Sequence, residues 1–161
     1  MNGQRRLIRI ISGGQTGADR EGLDAATALG FATGGQAPSG YWTERGPDPS
    51  LERLGLVAAG SVESRTVANV LAGDATVIFG TDRPGSGSAL TRALALRYGK
   101  PVIVIDPWAP GATDALVEFV LAHDPGVLNV AGHRESQAPG IHGRVFDLMT
   151  TALERIRAGT E

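Results

Sequence analysis

The apolar run Leu7-Ile8-Arg9-Ile10-Ile11 stops at Ser12 and breaks into Gly13-Gly14-Gln15-Thr16-Gly17. Apolar residues then return at helical spacing, with Leu23, Ala26 and Leu29 on one face. Strand, glycine turn and helix start are the local plan of an anion cradle. Glycines let the backbone approach a ligand, and the free N–H groups and dipole of a helix start favour negative charge. The rest of the chain reads as organised around this turn.

Beyond it, strand and helix signals alternate. The pattern predicts a strand over 7–12, a helix over 17–29 with Thr16 and Asp19 at capping-box spacing, and a short strand near 31–36. Residues 37–60 carry Pro38, Gly40, Gly46, Pro47, Pro49, Gly55 and Gly60, with Tyr41 and Trp42 among them. That stretch is too long for a mere connector, so it is expected to form a lid or subunit-contact loop with a short element within 51–57. Ser61 caps a helix over 62–72 that Gly73 ends. A buried strand over 75–79 leads to a second glycine turn, Arg83-Pro84-Gly85-Ser86-Gly87-Ser88, and a helix running to Tyr98. A strand at 101–105, a helix at 113–123, a strand at 127–130, a polar loop at 132–140 and an amphipathic helix at 141–158 complete the pattern.

Five continuous apolar strands alternating with five helices imply an α/β fold. Its parallel sheet, five-stranded or larger, is covered on both faces, in one domain over 1–161. In such sheets ligands sit beyond the carboxyl ends of the strands, at the topological switch point. That rule gathers the turns at 13–20, 80–91 and 132–136 on one edge.

Composition narrows the function. A chain of 161 residues with formal charge −2 gives no global electrostatic reason to bind nucleic acid or an anionic membrane. It has no cysteine, which excludes disulfides, thiolate catalysis and protein-sulfur metal ligands. No apolar run approaches the roughly 20 residues of a membrane span, and no signal-peptide pattern follows Met1, so a soluble cytoplasmic protein is expected. His123, His133 and His142 lack metal-ligand spacing, and no zinc is expected.

The motifs are anionic in taste but match neither common nucleotide fingerprint. Gly13-Gly14-x-x-Gly17 is not Gly-x-Gly-x-x-Gly, and no acidic residue ends the second strand, so NAD is disfavoured. No Lys-Ser/Thr pair follows the glycines, so it is not a Walker loop. A generic anion nest remains, with Gln15, Thr16, Asp19 and Arg20 as polar contributors. The alternative is a tight strand-to-helix turn in which Thr16 and Asp19 only cap. Gly85-Ser86-Gly87-Ser88, with Thr91 one turn on, would bring a second helix start to the same ligand. Arg134, in Gly132-His133-Arg134-Glu135-Ser136, could clamp an oxyanion, or pair with Glu135 or Asp147 on the surface. Arg65 and Asn69 share a helical face with Thr66 beside them; spacing alone reads that face as solvated surface. No nucleophile is assigned.

Six stretches follow one family pattern: Ile11-Ser12-Gly13-Gly14-Gln15-Thr16-Gly17-Ala18-Asp19-Arg20, Ser64-Arg65-Thr66-x-x-Asn69-Val70, Gly73-Asp74-Ala75-Thr76-Val77-Ile78-Phe79, Gly87-Ser88-x-x-Thr91, Gly99-Lys100-Pro101, and Leu128-Asn129-Val130-Ala131-Gly132-x-Arg134-Glu135-Ser136. Over about 7–153 the chain resembles the putative molybdenum carrier family, also called molybdenum cofactor carrier proteins. The resemblance implies a Rossmann-like fold, in the superfamily of the lysine-decarboxylase-like nucleotide phosphoribohydrolases and a DNA-processing protein. It further implies a homo-oligomer, dimer or tetramer, and binding of molybdenum cofactor or molybdate. It moves Arg65, Thr66 and Asn69 from surface to site.

Two departures accompany it. Where the family usually has a Cys-Pro-Lys-Gly-Arg type sequence, this chain has Gln36-Ala37-Pro38-Ser39-Gly40-Tyr41. Where the phosphoribohydrolases carry Pro-Gly-Gly-x-Gly-Thr and a catalytic glutamate, it has Pro84-Gly85-Ser86-Gly87-Ser88-Ala89-Leu90-Thr91 and no glutamate. Glycosidic hydrolysis by their route then lacks its acid–base group. The expectation is a non-catalytic binding protein for a small anionic ligand. The alternative is a nucleotide-binding protein or hydrolase in which Asp19 or Glu135 is the acid–base group.

Overall fold

The computed structural model describes residues 7–80 and 87–159. Arg83, Pro84, Gly85 and Ser86 of the expected second turn lie outside them. The elements run β1 (Arg9–Ile11), α1 (Ala18–Ala28), β2 (Ala32–Ala37), a 3-10 turn (Ser39–Tyr41), β3 (Trp42–Thr43), β4 (Gly46–Pro47), α2 (Ser50–Arg53), β5 (Leu56–Ala58), α3 (Val62–Ala72), β6 (Ala75–Phe79), α4 (Gly87–Arg97), β7 (Val102–Ile105), α5 (Ala112–His123), β8 (Val127–Gly132) and α6 (Ile141–Ala158).

Six strands form one parallel sheet in the order β5-β2-β1-β8-β6-β7, while β3 and β4 make a separate antiparallel hairpin. Helices α1, α5 and α6 cover one face; α3 and α4 cover the other. Alternation along β8 shows the division. Leu128 and Val130 join the core under α5 and α6, whereas Asn129, 3% exposed, turns to the other face and donates to Thr76 Oγ1 at 3.3 Å. This is the α/β sandwich with a mainly parallel sheet that the apolar runs imply.

The last strand in the sequence is a central strand of the sheet. β8 pairs with β1 on one side and β6 on the other; Leu128 sits opposite both Ile10 and Ala75. Read from β8 onward, and setting the edge strand β5 aside, the sheet has the doubly wound order 3-2-1-4-5, with its switch point between β8 and β6. The end of α6 lies where that reading needs it, with the Arg157 guanidinium 4.7 Å over Phe31, just before β2.

One local expectation is made specific and one is corrected. The sheet has six strands, within the expected five or more, and the sixth, β5, comes from the 37–60 stretch in which a short element is expected. It pairs with β2 through Gly35, Gln36 and Ala37. Leu51 and Leu56 hold the segment down in a small second core with Leu23 and Ala37. The Thr16–Asp19 capping box does not form. Gly17 is the N-cap of α1, at φ 81, with no side-chain cap. Its backbone is pressed so close to the β8 loop that an added Cβ would lie 2.4 Å from the His133 carbonyl. The Ala18 N–H donates to that same carbonyl. By contrast, Ser61 caps α3 as expected, in a reciprocal box with Ser64 at 3.1 and 2.9 Å.

Candidate functional site

At the carboxyl ends of β1, β8 and β6, on the switch point, lies a cavity of about 240 Å³. The opening turn supplies Gln15 and Asp19, α3 supplies Val62 and Arg65, and α4 supplies Gly87, Ser88 and Thr91. β8 and its following loop supply Ala131, Gly132, Arg134 and Gln137. Seven of the sequence-derived site residues thus meet here: Gln15, Asp19, Arg65, Gly87, Ser88, Thr91 and Arg134.

The opening turn is an anion cradle, and the anion in it is the chain's own Asp19 carboxylate. The N–H groups of Gln15 (3.3 Å) and Gly13 donate to it, and Arg65 Nη1 lies 3.4 Å away. The other N–H groups are also engaged: Gly14 donates to Ser12 Oγ, Thr16 to Gln15 Oε1 and Ala18 to the His133 carbonyl. The cradle expected to hold a ligand phosphate at 13–17 is therefore filled from within. The three glycines serve close packing. A Cβ on Gly13 would stand 1.8 Å from Arg65 Nη1, and one on Gly14 2.7 Å from Leu51 Cδ1.

Asp19 is 4% exposed. Burial raises its pKa from the ordinary 3.8 to about 6, against the opposing pull of Arg65 and the Gln15 and Gly13 N–H groups. Arg65, its side chain 14% exposed, has a buried Nε with no partner among the described residues. The cavity is therefore lined by a guanidinium beside a carboxyl that is readily protonated.

The remaining sequence-derived residues lie elsewhere. Thr66 donates to the Val62 carbonyl. Asn69 clamps β2, accepting from Gln36 N at 2.8 Å and donating to Gln36 O at 3.0 Å. Arg20 binds Asp24, Asp48 and Ser50 at 2.7–3.0 Å, facing a second cavity of about 300 Å³ that Gly14 and Thr16 also line. Glu135 caps α6, accepting from Gly140 N at 2.7 Å and His142 N at 3.0 Å, and these bonds hold its carboxyl below the usual range. Behind the second cavity, Glu21 is 3% exposed; burial and the charge of Asp24 push it up to about 8, with His142 Nε2 at 2.5 Å.

Sequence reasoning missed Val62, Gln137 and Glu44. Glu44, at the tip of the β3–β4 hairpin, accepts from Thr16 Oγ1, Ser136 Oγ and Ser136 N. Its neighbours Gly46 and Pro47 signal a turn, but nothing local signals where that turn docks. Among the described residues no group of three or more His, Asp or Glu is placed to hold a metal, and no helix is long and apolar enough to cross a membrane.

Comparison with known proteins bears on the fold and the family. No curated protein matches the chain. The crystal structure named "Putative molybdenum carrier protein" from Syntrophus aciditrophicus SB is similar to it, with 36% sequence identity, a TM-score of 0.82, and coverage of 95% of this chain and 96% of that one. The family model described as the circularly permutated YpsA SLOG family matches residues 10–153, in keeping with a last strand that completes the centre of the sheet. The chain belongs to the circularly permutated YpsA SLOG family.

Proposed function

We propose that this protein is a non-catalytic carrier that holds an oxyanion-bearing molybdenum ligand, molybdenum cofactor or molybdate, in the cavity at the carboxyl edge of the sheet. The observation that carries this reading is the convergence of Arg65, Arg134 and the start of α4 at Gly87 and Ser88 on one cavity. Two guanidiniums and a helix start around one space favour an oxyanion. The name of the Syntrophus protein directs the choice of anion to molybdenum. Arg134 adds charge at the rim, and the start of α4 at Gly87 and Ser88 adds a positive dipole end. Molybdenum would keep its own oxygen and sulfur ligands, since the chain has no cysteine.

The second reading, a nucleotide or nucleotide-derivative binding protein or hydrolase, is favoured by one observation: Asp19 lines the same cavity with a pKa of about 6, suited to proton transfer near neutral pH. Glu135, bound to the start of α6, is not available for that role. Calorimetry and thermal shift with molybdate, tungstate, purified molybdenum cofactor and nucleoside monophosphates, with product analysis, separate the two. Binding of molybdate or cofactor without turnover is expected, weakened at least tenfold in Arg65→Ala. Release of free base from a nucleotide would overturn the carrier reading.

A further inference from the structure

The hairpin that carries Glu44 has strands of two residues each, Trp42 opposite Pro47 and Thr43 opposite Gly46. Its tip reaches two loops that are far apart in sequence. The Glu44 carboxylate accepts from Thr16 Oγ1 on the opening turn and from the N–H and hydroxyl of Ser136 on the β8 loop. Arg134 Nε stands 3.9 Å from it. The Glu44 N–H also donates at 2.8 Å to Gln15 Oε1, the acceptor already used by Thr16 N. Thr16 Oγ1 in turn accepts from Glu135 N at 3.4 Å, so one chain of hydrogen bonds runs from the β8 loop through the opening turn to the hairpin.

Gln15 and Arg134 both line the cavity, and Glu44 contacts both without lining it. We propose that Glu44 is the positioning residue of this site: its carboxylate locks the opening turn to the β8 loop and so fixes Gln15 and Arg134 at the rim. The consequence for ligand rests on the anion-binding reading above; the lock itself does not. Two hydroxyl donors, one backbone donor and a guanidinium around one carboxylate give the lock a direction that a loop of glycine and polar residues would not supply by itself. The hairpin is braced internally by Thr43, which donates to Gly46 O at 2.8 Å, and tied to β5 by Tyr41, whose hydroxyl donates to Leu56 O at 3.2 Å.

The test compares Glu44→Ala and Glu44→Gln with the unaltered protein. Hydrogen exchange of the amides in 13–17 and 132–137 is read without ligand, and the affinities for sulfate and molybdate by calorimetry. Glu44→Ala is expected to speed exchange in both segments and to weaken anion binding about tenfold, the weight of one hydrogen bond. Glu44→Gln keeps an acceptor for Ser136 and a group that can bond to Thr16. It is expected to restore protection and to bind at least as tightly as the unaltered protein, because the negative charge beside Arg134 is gone. Unchanged exchange in Glu44→Ala overturns the lock. Faster exchange spread through β1, β8 and α6 also overturns it, since Glu44 would then support the fold at large. Glu44→Gln behaving like Glu44→Ala assigns the effect to charge and overturns a positional role. If the unaltered protein binds neither anion, the carrier reading fails, and the exchange comparison still decides the lock.

Discussion

At the floor of the cavity Arg65 meets Asp19, which is 4% exposed and whose pKa burial raises to about 6. At the rim Arg134 meets Glu44, whose carboxyl is held below the ordinary range by hydrogen bonds from Ser136 and Thr16. Both arginines line the cavity and both face a carboxylate, yet the two carboxylates differ in how readily they take a proton. Asp19 can be neutralised by a proton near pH 6, which leaves Arg65 uncompensated and ready for an oxyanion. Glu44 stays ionised and keeps its geometry. Under the proposed function, one pair would yield charge to the ligand and the other would keep the frame still.

The sharpest way to break the comparison is to remove Asp19. Asp19→Ala leaves the Arg65 guanidinium packed on Gly13 without its partner and strips the Gln15 and Gly13 N–H groups of their acceptor. A loss of about 3 kcal/mol in urea unfolding is expected. A loss under about 0.5 kcal/mol would show that the floor is no more structural than the rim.

Asn69→Ala comes next and tests whether the face of α3 divides as the structure has it. Asn69 lies four residues from Arg65, but its two hydrogen bonds go to the backbone of β2. A stability loss of about 1–2 kcal/mol with unchanged anion affinity is expected. Weakened binding at unchanged stability would return Asn69 to the site.

A subtler test titrates the floor alone. Asp19's folded-state value lies above its ordinary 3.8, so the native state takes up the proton first. Its contribution to stability grows as pH falls from about 6 toward 3.8 and is smallest above 6. Sulfate, whose charge is constant in that window, is expected to bind more tightly as pH falls toward 6. The gain is at most about tenfold per unit, it levels off below 6, and Asp19→Asn removes the slope. A slope that survives in Asp19→Asn would place the proton elsewhere, with Glu21 and His142 as the neighbouring pair to examine.

What could be read from the sequence follows the range of the interactions. The apolar runs at Ile10-Ile11, 75–79 and 102–105 specify buried strands by themselves, and Ser61 caps α3 with a partner three residues away. β5 is only three residues long, and what holds it is a cluster drawn from α1, β2 and α2. The capping box at Thr16 loses to a backbone contact from the β8 loop. Glu44 shows the limit: its partners lie 28 and 92 residues away, and no local pattern encodes them. The seven residues that meet in the cavity were found because each stands just beyond a strand end or on a motif helix. Thr66, Asn69 and Glu135 stand in equally polar stretches, but the backbone uses them.

The place of β8 between β1 and β6 bears on how the chain is made. During synthesis β5, β2 and β1 can form one half-sheet and β6 with β7 another, but the seam between them stays open until residues 127–132 leave the ribosome. Until then two unpaired strand edges, each flanked by buried-type apolar residues, face solvent and invite pairing with other chains. Closing the seam joins Ile11 to Asn129 and Phe79 to Gly132, contacts of high sequence separation that slow folding. The nascent protein therefore acquires its cavity and loses its stickiest edges in the same late step, which makes that interval the one in which a chaperone has most to protect.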